Sequence, residues 1–192
     1  MKKVKNRIAI IILSALLAVS LAFNAIMIAR EFRVVGIDLE SELQVGDMAP
    51  DFSVQLLTGE TFTLSEHRGT VVVLYFWATW CGPCVATMPF LQALSDQHKE
   101  HVLFVGMNIG ESPRRVTDFI DERGFTFPIG LDEGGDIHRN LYPSVGIPYM
   151  VIVDGDGVIA RIFLGGGDRM QSLIEDAIIE VLYTKGVNRY GN

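Results

Sequence analysis

The run Val71-Val72-Val73-Leu74-Tyr75-Phe76-Trp77 is the feature that most restricts the fold of this chain. Seven consecutive apolar or aromatic side chains, six of them β-branched or aromatic, are too few to cross a membrane and lack the alternation of a half-solvated strand. They suit a strand buried on both faces of a sheet. A second such run, Val102 to Asn108, follows about one helix-length later. With 192 residues the chain has room for one domain and a short extra segment. Apolar residues at 49% and charged residues at 20% are those of a folded protein with a real core.

The remaining elements fall into place around these strands. Phe52 to Leu56 and Thr61 to Leu64 read as strands joined by a Thr58-Gly59 turn. A helix is predicted from the cysteines to about Lys99, with Val85, Met88, Leu91 and Leu94 on one face and a kink at Pro89. Another helix runs from Pro113 to Arg123, with Ser112 as candidate N-cap and Gly124 as its stop. After Phe127-Pro128, residues Asp132 to Tyr142 read as a short helix. Tyr149 to Val153 and Val158 to Leu164, joined by Asp154-Gly155-Asp156-Gly157, carry a hairpin signal. Asp168 can cap a last helix ending near Tyr183, which turns Ile174, Ala177, Ile178, Val181 and Leu182 towards the sheet. Strands flanked by helices imply a three-layer α/β/α sandwich with a mixed central sheet.

The mean hydropathy of +0.30 is high for such a domain, and the excess sits at the amino end. Ile8 to Ala29 is uncharged, with only Ser14, Ser20 and Asn24 as polar interruptions. As a helix it would measure about 33 Å, enough to cross a bilayer core. Lys2, Lys3, Lys5 and Arg7 precede it, and basic residues beside a first span stay in the cytoplasm, so the rest of the chain is expected outside. Signal-peptide cleavage near Ala18 or Ser20 would leave an exposed apolar stretch, which favours an uncleaved anchor. The expected organisation is a cytoplasmic stub over residues 1–7, a transmembrane anchor over 8–29, a linker over 30–44 and the folded domain over 45–192. Of the 16 basic and 23 acidic residues, ten basic and nineteen acidic lie beyond residue 44. So acidic a domain, with no basic stripe, excludes nucleic-acid binding. Gly165-Gly166-Gly167 lacks the Lys-Ser/Thr of a phosphate loop.

Cys81 and Cys84 are the only cysteines, in the order Cys81-Gly82-Pro83-Cys84, directly after the first buried strand and opening a helix. Unpaired N–H groups and the helix dipole favour an anion there, so Cys81 is expected to be an exposed nucleophile of depressed pKa and Cys84 the buried resolving thiol. Pro83 presets a helical φ and lacks an N–H that would be unpaired anyway. A permanent staple is a poor use of the pair, because so short a loop removes little chain entropy. Zinc binding through His98 and His101 is excluded by distance: His98 lies about 21 Å along the helix from Cys84. His98 and His101 read as solvated, and His67 and His138 show no evident partners. Holding a soft ion such as Cu(I) between two thiolates is an alternative use of the motif, but no metal or cofactor is expected.

The stretch Phe76-Trp77-Ala78-Thr79-Trp80-Cys81-Gly82-Pro83-Cys84 resembles the active site of the thioredoxin superfamily. Val45-Gly46-Asp47-Met48-Ala49-Pro50-Asp51-Phe52, Gly69, Phe127-Pro128, Asp132, Gly146-Ile147-Pro148 and Asp154-Gly155-Asp156-Gly157 narrow the likeness to the membrane-anchored TlpA/ResA-like branch, over residues 45 to about 183. The resemblance implies thiol-disulfide exchange through Cys81 and Cys84, with Trp80, Gly82 and Pro83 around them and Trp80 shielding the pair. It implies that Pro148 is a cis-proline facing the disulfide and that Ile147 offers backbone hydrogen bonds to a docked partner. Implied partners are proteins bearing disulfides or dithiols and a membrane thiol donor, with apocytochrome c maturation as one destination. Two positions depart from the pattern: Thr87 replaces a carboxylate of many relatives and Tyr75 the buried aspartate of thioredoxin, so a water or either hydroxyl relays the resolving proton, or the partner supplies the base, or resolution is slow. The reverse direction, as disulfide-introducing oxidase or isomerase, stays open. A peroxidase reading founders on Leu74 and Ala78, which stand where a peroxiredoxin-like domain has Pro and Thr/Ser.

Overall fold

The computed structural model describes residues 16–24 and 43–184. The first of these segments is helical and exposed. Among the described residues no helix is long and apolar enough to cross a membrane. The rest of the expected anchor at 8–29, and the linker as far as residue 42, lie outside the described residues.

The domain beginning at Glu42 is built on a five-stranded sheet. Its strands are β3 (Val71–Trp77), β4 (Val102–Ile109), β5 (Ile129–Asp132), β6 (Tyr149–Val153) and β7 (Ile159–Leu164), in the order β5-β4-β3-β6-β7. β3 pairs parallel to β4 from Val71↔Val102 to Trp77↔Asn108, and antiparallel to β6 from Val72↔Val153 to Phe76↔Tyr149. β5 is parallel to β4 and β7 antiparallel to β6, so the sheet is mixed as expected. A separate hairpin, β1 (Ser53–Gln55) and β2 (Thr61–Thr63), pairs antiparallel. The helices are α1 (Gly82–His98), α2 (Pro113–Arg123), α3 (Asp136–Asn140) and α4 (Asp168–Thr184).

Every residue of β3 is buried, as its unbroken apolar run requires. Its two faces feed two cores. Val71, Val73, Tyr75 and Trp77 pack with Met88, Leu91 and Leu94 of α1, Val116 of α2 and Ile174, Ala177, Ile178 and Val181 of α4. Val72, Leu74 and Phe76 pack with Val54 and Phe62 of the hairpin, Leu64, Met107, Tyr142 and Val151. Ile137 and Leu141 add to this second core. Helical cover is therefore unequal: three helices lie on one face, whereas the hairpin and one short helix close the other. The alternating Phe52, Val54 and Phe62 give the hairpin an apolar side that does the work of a helix there.

Local chemistry explains the boundaries. α2 has Ser112 at its N-cap position, without a side-chain bond, and Pro113 in its first turn. It ends where Gly124 turns left-handed (φ 71°) and its N–H bonds the Ile120 carbonyl. α1 continues on both sides of Pro89, which has no N–H for the Val85 carbonyl. Val85 itself is only half-buried. The helix expected over Asp132 to Tyr142 is corrected: β5 occupies Ile129–Asp132 and α3 only Asp136–Asn140. Asp132 closes the strand and its carboxylate accepts the Ile137 and His138 N–H groups, so the polar residue taken as helical joins the two elements.

Gly106 in β4 lies under Trp77. A Cβ there would stand 2.9 Å from both Ile129 Cδ1 and the Phe127 ring and 3.1 Å from Trp77 Nε1. Overpacking of this kind costs about 1–3 kcal/mol. Gly106→Ala is thus expected to lower the unfolding free energy by about that amount in denaturant titration, while Gly82→Ala, with open space at its Cβ, changes it little.

Candidate active site

β3 is where the strand order reverses, β4 and β5 lying to one side and β6 and β7 to the other. Crevices at such points, beyond the carboxyl ends of the strands, are where α/β sheets bind ligands. Here β3 ends at Trp77, and Ala78-Thr79-Trp80 leads into Cys81 at the N-cap of α1.

Cys81 and Cys84 form a disulfide with an S–S distance of 2.01 Å. Cys81 Sγ accepts a hydrogen bond from the Cys84 backbone N–H at 3.2 Å, so a sulfur takes the place that a Ser or Asp oxygen has in an ordinary helix cap. Cys84 is completely buried and Cys81 is 5% exposed. The expectation of an openly exposed Cys81 is thereby corrected: part of its surface is covered from the loop before β6, where the Ile147 carbonyl oxygen lies 3.7 Å from Cys81 Sγ. The Ile147–Pro148 peptide bond is cis. Trp80 is 68% exposed, so it presents most of its surface to solvent beside the disulfide. Gly82 and Pro83 are exposed on the first turn of α1.

Tyr75 and Thr87 lie against this turn from within. The Tyr75 hydroxyl donates to the Cys84 carbonyl and the Thr87 hydroxyl to the Pro83 carbonyl, each at 3.0 Å. Burial pushes the Tyr75 phenol far above its usual range, so it stays protonated at physiological pH. Both hydroxyl protons are thus engaged with main-chain oxygens, and the two residues anchor the helix start that carries the cysteines.

Sequence reasoning missed a second group of residues. Glu111, just beyond β4, is buried, and its carboxylate accepts from the Thr79 N–H at 2.7 Å, the Thr79 hydroxyl at 2.6 Å and Asn108 Nδ2 at 2.8 Å. Arg115 Nε pairs with it at 2.8 Å and also donates to Thr79 Oγ1 at 2.9 Å. Burial pushes the Glu111 carboxyl up, but the bonds from Thr79 and Asn108 and the Arg115 charge outweigh it and hold the carboxyl below its ordinary value. The network fixes the backbone two residues before Cys81. The polar Asn108 closing an apolar strand and the Glu111/Arg115 spacing of four were its only sequence signals. Gly166, read only as lacking a phosphate loop, also belongs here: a Cβ on it would lie 3.1 Å from Thr87 Oγ1, 3.3 Å from the Pro83 oxygen and 3.4 Å from the Pro148 ring. Gly165 N–H donates to the Pro148 carbonyl at 2.8 Å.

The histidines taken as solvated or unpartnered divide. His98 stands at the far end of α1 from Cys84. His67 stacks on Phe62 with ring centroids 4.8 Å apart, and His138 Nε2 lies 2.9 Å from Ser144 Oγ. Among the described residues no three His, Cys, Asp or Glu side chains are gathered as a metal site.

A disulfide capping a helix beside a cis-proline is the arrangement of thioredoxin-like exchange proteins, and comparison with known proteins agrees. The family profile described as Redoxin matches residues 44–178. The chain belongs to the redoxin family. This redoxin is 36% identical over 140 residues to thiol-disulfide oxidoreductase ResA of Oceanobacillus iheyensis, covering 69% of this chain and 72% of that one. It is 37% identical over 129 residues to the thioredoxin-like protein YneN of Bacillus subtilis, covering 66% and 75%. Among solved structures, a candidate thiol:disulfide interchange protein DsbE from Chlorobium tepidum matches with a TM-score of 0.70 and 30% identity, over 73% of this chain and 99% of that one. This redoxin is accordingly a ResA-like thiol-disulfide oxidoreductase with a thioredoxin-like fold.

The Glu111 network makes a pH-dependent prediction. A carboxyl whose pKa is lowered on folding stabilises the protein above its unfolded value near 4.5 and loses that contribution as pH falls through the folded value. In Glu111→Gln an amide N–H₂ must face donors from Thr79, Asn108 or Arg115. The variant is expected to lose about 1–3 kcal/mol of stability at neutral pH. The gap to wild type should narrow in denaturant titrations as the pH falls below 4.5 and through the lowered folded value, where the native carboxyl becomes protonated too.

Proposed function

We propose that this redoxin reduces disulfides in partner proteins on the outer face of the cell membrane, held there by a single uncleaved span over residues 8–29. The observation that carries the redox reading is the Cys84 N–H bond to Cys81 Sγ. On reduction that N–H and the helix start stabilise a Cys81 thiolate, whereas Cys84, wholly buried, is disfavoured as an anion until a disulfide stands beside it.

The exchange then runs in two displacements. The Cys81 thiolate attacks one sulfur of the partner disulfide, forming a mixed disulfide and releasing the other sulfur as a thiolate, which takes up a proton. Cys84 loses its proton and attacks Cys81 Sγ, closing the Cys81–Cys84 disulfide and expelling the second partner thiolate. Two electrons pass to the partner. With the Tyr75 and Thr87 hydroxyl protons bound to carbonyls, the Cys84 proton leaves to water or to the departing partner thiolate. Ile147, facing Cys81 across the crevice, supplies main-chain hydrogen bonds to the docked segment.

Outside the cytoplasm no thiol pool restores the dithiol, so the cycle needs a membrane thiol donor. The resemblance to the TlpA/ResA-like branch suggests maturation of apocytochrome c as one destination. The Gly82-Pro83 pair between the cysteines is that of thioredoxin and supports the reducing direction, within a superfamily range of about −270 to −120 mV.

Two measurements test this. The Cys81 thiol should titrate below the ordinary thiol value by thiolate absorbance, and Cys84→Ser should accumulate a mixed disulfide with its partner that Cys81→Ser does not form. An ordinary thiol pKa with equal trapping by both variants overturns the assignment of Cys81 as attacker. Equilibration with dithiothreitol or glutathione fixes the direction, and a potential near the oxidising end would make the protein a disulfide donor instead.

A further inference from the structure

The loop that carries Ile147 and Pro148 is held by a side-chain chain that starts well outside it. Ser144 Oγ lies 2.8 Å from the Gly146 carbonyl oxygen and 2.9 Å from His138 Nε2. A carbonyl only accepts, so the single Ser144 hydroxyl proton is spent on Gly146, and the Ser144 oxygen must accept from His138. This fixes His138 with its proton on Nε2. The imidazole is itself anchored: its backbone N–H donates to Asp132 at 2.9 Å, and its ring lies 5.5 Å from Phe76 and edge-on to Tyr149 at 6.4 Å. Burial lowers its pKa; the Asp132 charge opposes this and Arg139 adds to the lowering, so the ring is neutral at physiological pH.

The chain His138 Nε2–H → Ser144 Oγ–H → Gly146 C=O ends one residue before Ile147, whose own carbonyl faces Cys81 Sγ at 3.7 Å. On the far side of the cis-proline the Pro148 carbonyl is held by the Gly165 N–H. Without the His138 chain, the segment from Ser144 to Ile147 has Val145, 92% exposed, at its centre and no packing of that side chain to hold it. We infer that His138 and Ser144 are positioning residues for partner docking: they set the Gly146–Ile147 peptide so that it can hydrogen-bond an incoming polypeptide, and they take no part in the sulfur chemistry. The inference rests on the proposed exchange with protein disulfides and adds which residues outside the cysteine motif govern recognition.

A large and a small disulfide separate the two roles, because only a polypeptide uses the loop. The full chain is assayed in dithiothreitol-driven reduction of insulin and in direct reduction of dithionitrobenzoate. Ser144→Ala and His138→Leu are expected to raise KM for insulin about five- to tenfold, the worth of one lost hydrogen bond at the loop. Insulin kcat and the dithionitrobenzoate rate should stay at wild-type values. His138→Gln, which keeps an N–H at similar reach, and Ser144→Thr should recover most of the loss. Ser144 is half-exposed, so Ser144→Ala keeps the test open if His138→Leu does not fold. Unchanged insulin KM in the folded variants, or equal losses on both disulfides, overturns the inference and leaves the exchange reading standing. Failure of the wild type on both disulfides, matching Cys81→Ser, removes that reading and this inference with it.

Discussion

A strand with no polar face has to be covered twice, and that demand on β3 organises the molecule. Its odd-numbered residues take α1, α2 and α4, and its even-numbered residues take the hairpin and the segment around Tyr142. β3 is also the strand from which the sheet grows in both directions, so its carboxyl end lies where the strand order reverses, the place at which α/β sheets bind ligands. The chain leaves that end in three residues and enters α1, so the first helical turn is set by the sheet, and the cysteines inherit its position. The Cys84 N–H bond to Cys81 Sγ follows from helix geometry once the strand is fixed.

Parts of the structure governed by local pattern were readable in advance. The limits of β3 and α2, the Asp154–Gly157 turn and the helix start at the cysteines are encoded within a few residues of where they occur. β5 escaped notice because Ile129-Gly130-Leu131-Asp132 is four residues long, contains a glycine and owes its existence to register with Gly106–Ile109 of β4. The unequal covering of the sheet was equally hidden, since no local signal says whether a hairpin packs on a sheet or extends it. Glu111 joins Thr79 over 32 positions, and its partners meet only once β4 and α2 are folded. His138 has no sequence signature at all. Its role arises because α3 and the loop before β6 come within hydrogen-bond reach.

The charges around the site follow a division of labour. Beneath Cys84 the polar groups are two hydroxyls bound to carbonyls, Tyr75 and Thr87, and neither adds a charge to that interior. The nearby charged network is centred on Thr79, where Arg115 balances Glu111, the carboxylate holding the Thr79 N–H and Arg115 its hydroxyl. A full carboxylate beside the sulfurs would bring a base to the resolving thiol but would also raise the free energy of a Cys81 thiolate. Neutral hydroxyls forgo the first effect and avoid the second. In the proposed exchange the attacking anion then relies on the helix start, and the resolving thiol gives its proton to the partner or to water.

Thr79 and Gly146 occupy comparable stations in the chain. Thr79 stands two residues before Cys81 and Gly146 one residue before Ile147, whose carbonyl lies near Cys81 Sγ, and each is pinned by side chains, Glu111 for Thr79 and Ser144 with His138 for Gly146. Loops left to themselves fluctuate, and ordering them at the moment of docking costs free energy. On the proposed docking at Ile147, two main-chain points held in advance would reduce that cost. Gly166 lies against Pro83, Thr87 and Pro148, and a Cβ there would force one of them to give way. A Cβ at Gly166 would press on the first turn of α1 and on the cis-proline together, so this glycine lets the two elements that meet at the disulfide pack without a side chain between them.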